Sequence, residues 1–371
     1  MDVRCIGCGL WALLFAATAQ AASPPRFPAG SVWHQSIADA DVHPQSGAML
    51  ARLQTLGGWG NGNRMQIDFS FHVQHVPPGE DPPRYPVVPH AVYDDYYSPD
   101  CEAPGSTMPV PAGAAFEGQG GLQCDNDCSD DECEDCHLIV VENALVYELY
   151  NGNFDGARLD ALCLAVWDTS VVYPPEGRGE HCTSADAAGF PIAALLPNAD
   201  GVAAAATQPD GDLGHAIRFI LPNARMASDA SLGGSDGKLY VRPASHAGGP
   251  SGPAETVPYG ARLRLRADFD MTGYNAPARA ILRTMQRYGI VLADGGNIAL
   301  TFESDRFTEA TWDELDITPH IFWDGDPGDR TPLAVTDFAV IDTGPRIAET
   351  YDCVRSSVVP GAGVFADGFE G

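Results

Sequence analysis

The apolar positions of this chain fall into short runs rather than long stripes. Residues 65–73 (MQIDFSFHV) alternate apolar and polar side chains, the two-residue period of a strand with one buried face. Residues 137–141 (HLIVV), 144–150 (ALVYELY), 216–221 (AIRFIL) and 238–242 (KLYVR) are of strand length and rich in β-branched and aromatic residues. In residues 262–266 (RLRLR), Arg262, Arg264 and Arg266 share one face and Leu263 and Leu265 the other. Helical spacing is clear in residues 277–288 (PARAILRTMQRY). There Ala278, Ile281, Leu282 and Met285 form a stripe, with Pro277 near its start and Gly289 just past its end. A shorter helix is predicted from Thr183, which would cap it with Asp186 three residues on. The pattern predicts a mainly β, sandwich-like single large domain over residues 22–345, with long loops and one or two short helices.

The two ends fall outside that domain. Residues 1–21 hold a short apolar run ending in Ala19-Gln20-Ala21, a cleavage pattern for a secretory signal peptide, although Arg4 alone supplies the basic flank. Residues 346–371 close in a small, glycine-rich stretch expected to be a flexible tail. After residue 22 no apolar run approaches the roughly 20 residues of a membrane span. The expected location is secreted or periplasmic.

Charge narrows the partners. Fifty acidic residues face twenty-one basic ones, a net charge of −29, and Lys238 is the only lysine. Nucleic acids and anionic membranes require the opposite sign. Of ten cysteines, Cys5 and Cys8 lie in the leader, which leaves eight for disulfides in an oxidising compartment. Eight cysteines allow 105 pairings, and the sequence leaves the choice open.

Four of them stand in residues 124–137 (CDNDCSDDECEDCH), beside seven acids and a histidine. The spacing could ligate zinc, but in an oxidising compartment the thiols pair with each other first. Asp125, Asp127 and Asp131 stand at ligand positions of a Ca²⁺ loop, yet Asp130 replaces the turn glycine and Cys136 the bidentate Glu, which excludes an EF-hand. An irregular Ca²⁺ site on Asp125, Asp127 and Asp131 remains a candidate, against an acidic loop pinned by local disulfides over residues 118–136. Residues 233–237 (GGSDG) match a nucleophile elbow without its strand-before, helix-after context. Residues 339–344 (AVIDTG) match one arm of an aspartic protease without a second.

Candidate chemistry rests on other residues. His137, His215 and His246 stand at strand edges, where loops build sites. His72 and His75, in or next to a strand, are expected to be structural. Glu148, Asp186 and Asp294 are carboxylates among apolar or small neighbours, where a charge costs energy unless it is paired or used. Two such groups are what glycoside hydrolysis requires.

Several stretches together resemble a family of exported bacterial proteins of unknown function: residues 27–46, 110–118, 137–150, 183–192, 215–219, 243–246, 260–265 and 288–294. The family usually carries a Trp near Arg242, Met for Tyr259 and Asn-Gly for Gly295-Gly296. The resemblance implies one continuous domain and adds weight to His137, Glu148, Asp186, His215, Arg218, His246 and Asp294, without supplying a reaction. It also implies that residues 118–136 expand a short turn.

The resulting expectation is an exported protein acting on a polysaccharide or cell-envelope glycan. Asp186, Glu148 and Asp294 would supply acid and base, and His137, His215, Arg218 and His246 would bind substrate. The alternative is a non-catalytic glycan-binding or surface-interaction module, with Trp33, Trp59, Trp312 and Trp323 exposed on a flat face. Convergence of His137, Asp186, His215, His246 and Asp294 in one cleft would separate the two. Oligomeric state is not legible.

Overall fold

The computed structural model of the chain describes residues 25–124, 135–324 and 330–357. In chain order its elements are α1 (Ser46–Thr55), α2 (Gly60–Asn63), β1 (Ile67–Phe71), β2 (Val73–His75), β3 (Arg84–Pro89), β4 (Thr107–Pro109), β5 (His137–Glu142), β6 (Leu145–Phe154) and β7 (Leu159–Asp168). There follow β8 (Gly179–Glu180), α3 (Ala199–Ala206), β9 (Ile217–Leu221), β10 (Leu239–Tyr240), β11 (Arg262–Leu265), α4 (Ala276–Arg287), β12 (Ile290–Gly295), β13 (Leu300–Glu303), β14 (Phe338–Val340), β15 (Ile347–Ala348) and β16 (Val354–Arg355). With 27% strand against 16% helix, the fold is mainly β, as the alternating runs predict.

Two six-stranded sheets dominate, ordered β1-β13-β9-β12-β11-β14 and β2-β5-β6-β7-β3-β4. Both are mixed: β1/β13 and β9/β12 are parallel in the first, β2/β5 and β3/β7 in the second. The predicted strand over residues 65–73 is in fact two, because His72 passes the chain from one sheet to the other. Its ring is held between Ser304 Oγ at 2.6 Å and the Gln119 carbonyl at 3.3 Å.

Strands β5, β6 and β7 of the second sheet are buried on both faces over most of their length, which explains the unbroken apolar run of β5. Ile139 and Val141 enter a large core shared with the first sheet, whereas Leu138 and Val140 enter a smaller one with Phe116, Tyr147 and Met108. β7 (LDALCLAVWD) follows the same rule; sequence reasoning misses it, since a strand buried on both faces lacks alternation.

Helix α4 forms where predicted, its N-cap Asn275 accepting the Ala278 N–H at 2.8 Å. The helix predicted from Thr183 does not form. Instead the Ser184 hydroxyl accepts the Asp186 N–H and donates to the Phe190 carbonyl, while Asp186 Oδ1 accepts the Ala188 N–H. Such local side-chain bonds compete with a helical ladder, and the result is a tight turn.

The arginine face of β11 is not a solvated edge. Arg262 donates to the carbonyls of Tyr288, Val32 and Gln35, and Arg264 to those of Ile37, Ala38 and Ala40, clamping the N-terminal segment to the sheet.

The expected tail is folded through residue 357. β15 pairs with β10, β16 pairs with β8, and Cys353 is bonded to Cys182. Disulfides also join Cys101 to Cys163 and Cys124 to Cys136, the last pinning the base of the acidic loop. Among the described residues no helix is long and apolar enough to cross a membrane.

Candidate active site

The tight turn after Thr183 is the hub on which the site is assembled. The Ala185 carbonyl meets His137 Nε2 at 2.9 Å, and Asp186 Oδ2 receives two bonds from Arg218, at 2.8 and 3.2 Å. The Ala187 N–H donates to Asp294 Oδ2 at 3.3 Å, and the Ala187 carbonyl meets His246 Nδ1 at 2.7 Å. Three consecutive residues thus tie together β5, β9, the end of β12 and the segment after β10. Small side chains are required here: a Cβ on Gly248 would stand 2.9 Å from that of Ala187.

His137 lies on the face of β5 that looks toward the first sheet, with Nδ1 2.7 Å from Glu117 Oε2. Both ring nitrogens face oxygen acceptors, the pattern of an imidazolium. Burial disfavours that charge, but Glu117, Asp135 and the Ala185 carbonyl outweigh it and raise the pKa to about 9.

Arg218 is buried on β9, its third bond going to Thr301 Oγ1 at 2.8 Å and its guanidinium lying 5.2 Å from the Phe71 ring centre. Burial works against its charge; Asp186 and Asp294 hold the proton and raise its pKa. Asp294 stands at a bulge of β12, where the register against β9 slips. Bulges re-aim side chains. Here the carboxylate takes the N–H groups of Ala187 and Gly295, and Arg218 Nη2 lies 3.7 Å away.

Three adjoining cavities open over this hub, and Asp135 lines all of them. One, of about 470 Å³, is walled by Tyr97, Tyr150, His246, Asp294 and Tyr351. A second, of about 310 Å³, reaches Asp68, Glu117, His137, Arg218 and Asp294. A third, of about 530 Å³, runs past Tyr93, Asp95, Tyr97 and Tyr150. A column of tilted rings links them: Phe71 to His137 at 5.3 Å, His137 to Tyr150 at 5.3 Å, and Tyr150 to Tyr97 at 6.2 Å between centres. Asp135 keeps solvent access at the mouth. The surrounding walls still desolvate its carboxyl and push it up; His137 pulls it down, while Asp294 and Glu117 push it up further.

Of the candidates from sequence, His137, Arg218, His246 and Asp294 line this cleft and Asp186 is buried behind it. Two others lie elsewhere. Glu148, fully buried in the core, lines none of the three cavities. It accepts Trp167 Nε1–H at 3.1 Å and the Ala193 N–H at 2.8 Å, and burial lifts its pKa to about 7. His215 donates from Nδ1 to the Ala216 carbonyl at 2.8 Å, and burial, with Arg26 nearby, pushes its pKa well down. It is a neutral core histidine away from the cleft.

Asp125, Asp127 and Asp131 lie outside the described residues. Among the described ones, no group of three or more His, Cys, Asp or Glu is arranged to hold a metal ion. The tryptophan face does not exist either: Trp33, Trp59 and Trp312 are 8%, 0% and 4% exposed, and Trp323 is half-buried with Arg64 4.4 Å from its ring centre.

Sequence reasoning misses Asp135, which it assigns to the acidic loop, and Tyr351, which it assigns to the tail. It also misses Glu117, whose partner His137 is 20 residues away in sequence. Asp135 has one signal, its position two residues before a strand-edge histidine. Comparison of the chain with protein-family models, with curated proteins and with solved structures finds no match.

Proposed function

We propose that the cleft hydrolyses glycosidic bonds of a polysaccharide or cell-envelope glycan, with Asp135 as proton donor and Asp294 as its partner carboxylate. The observation that carries this reading is that two solvent-accessible carboxylates in different settings share one cleft. Asp135 has its carboxyl pushed up by burial and by Asp294, which suits an acid. Asp294 is oriented by two backbone N–H groups beside the Arg218 guanidinium, the fixed placement that a nucleophile or a base toward water needs.

The other polar residues follow from these two. Asp186 fixes Arg218 and thereby Asp294, so its role is positioning. His137, charged and anchored to Glu117, places a cation beside Asp135 and steadies the carboxylate left after proton donation. His246 and the tyrosines line the space for sugar rings. Export, from the leader over residues 1–21, belongs to the same proposal and accords with the disulfides. So does kinship with the exported bacterial proteins that the sequence resembles.

The test is incubation of the purified protein with plant, fungal and bacterial glycans, followed by assay of new reducing ends. Asp294→Asn and Asp135→Asn should each lower the rate by about 10²- to 10⁴-fold while leaving the fold intact. Full activity in either variant would remove that residue from the chemistry. If the wild-type protein binds a glycan and cleaves none, the non-catalytic binding module replaces hydrolysis.

A further inference from the structure

Among the described Phe, Tyr and Trp side chains only two stand exposed, Tyr351 at 42% and Tyr93 at 41%, and both line this cleft. They occupy different cavities, one on each of the two that meet at Asp135, Tyr97 and Tyr150. We propose that these tyrosines are sugar-stacking platforms and that the cleft accommodates an extended chain, which the acid pair cuts at internal bonds. The inference rests on the glycan reading above and adds to it the mode of attack and two specificity-determining residues.

Each ring is packed on one side, Tyr351 with Lys238 Nζ 4.8 Å from its centre and the His246 ring at 5.3 Å, and keeps part of its surface in solvent. Tyr351 adopts a left-handed backbone, φ +60°, which a bulky residue takes only when its surroundings impose it. Here the imposing group is the buried Glu349 carboxylate, which accepts the Tyr351 N–H at 2.8 Å and the Ala247 N–H at 2.9 Å. The phenol donates to the Gly248 carbonyl at 2.9 Å and accepts from Lys238 Nζ at 2.6 Å. Cys353, two residues on, is bonded to Cys182. Tyr93 sits in the turn after β3, its ring 4.7 Å from that of His90 and its N–H donating to His90 Nδ1 at 3.3 Å.

An exposed large apolar surface on a fixed backbone is costly in water and suits a ligand with an apolar face and a polar rim. A pyranose ring has both, its C–H bonds on the face and its hydroxyls at the edge. The acids beside the rings, Asp95, Asp100 and Asp135, can accept those hydroxyls. Each of the two cavities falls within the size range of a complete small-molecule site, about 300–1,000 Å³, so the cleft has more room than one sugar fills.

The experiment uses the full chain with xylan, mannan, arabinan, β-glucan and chitosan, together with oligomers of each from the dimer upward. The wild type should release intermediate-length products first, and kcat/KM should climb with oligomer length. Tyr351→Ala and Tyr93→Ala should each cut kcat/KM on polymer by about five- to tenfold, through KM, the loss growing with chain length. Tyr351→Phe and Tyr93→Phe, which keep the rings, should restore it.

A loss equal at every chain length would indicate a structural role and overturn the assignment, as would a change below about twofold on polymer. Release of monomers alone from the first moments would overturn internal cleavage. In those cases cleavage that still depends on Asp294 leaves the hydrolase reading standing. Absence of cleavage of every glycan by the wild type overturns the reading and this inference together.

Discussion

Replacing Glu117 by Gln tests the electrostatics of the site directly. The substitution keeps the shape and one acceptor oxygen but removes the charge that opposes His137 at 2.7 Å. In the native protein the His137 pKa rises from 6.5 to about 9, and each unit corresponds to about 1.4 kcal/mol, so the protonated ring contributes about 3 kcal/mol to folding. Both partners are mostly shielded from solvent, so screening removes little of this.

The sign follows from the direction of the shift. The folded-state pKa lies above the unfolded one, so the stabilisation is complete below about pH 6.5 and disappears as pH climbs through about 9. Without Glu117 the two largest contributions that raise the pKa are lost, and burial is opposed only by Asp135 and the Ala185 carbonyl. Wild type should therefore exceed the variant by about 2–3 kcal/mol near pH 6 and by almost nothing near pH 10. Urea unfolding of both proteins, followed by tryptophan fluorescence at the two pH values, measures this difference. Parallel pH profiles would show that His137 is not held as an imidazolium and would refute the reasoning.

Two further predictions concern the frame of the site. Burial lifts the Glu148 carboxyl from 4.5 to about 7, so this residue makes the protein less stable as pH rises between those values, by about 3 kcal/mol in all. Glu148→Gln should flatten that part of the pH profile while costing about 1–3 kcal/mol at low pH for the lost acceptor toward Trp167 or Ala193, read by denaturant titration at several pH values. Replacing Cys182 and Cys353 by Ala together should cost about 2–5 kcal/mol, because the bond closes a loop with a sequence separation of 171 residues. It should also raise KM, since the bond anchors the segment that carries Tyr351; thermal unfolding and kinetics on the same samples would show both effects.

Much of the site was legible because local chemistry marks it. A histidine opening an apolar strand, an arginine in the middle of another, and an aspartate at the end of a third are costly where they stand, and His137, Arg218 and Asp294 do meet. The same signal also selected His215 and Glu148, since a buried polar group satisfied by backbone or by an indole N–H looks identical along the chain to one facing a cleft. Asp135 and Tyr351 were invisible for the opposite reason: their neighbours are polar and acidic, and nothing local says which cysteine pairs with Cys136 or Cys353 beside them.

The sequence by itself determined the elements whose cause is local: the mainly β character, the alternation of β1 and β11, the apolar run of β5 and the helix α4. Tertiary structure decided what depends on residues far apart. It put Trp33, Trp59 and Trp312 in the core and left Tyr93 and Tyr351 in water. It turned the predicted helix start at Thr183 into the hub of a cleft, because the backbone of Ala185 and Ala187 is needed there by His137, Asp294 and His246. Periodicity reports which side of an element is apolar; only packing determines what stands opposite.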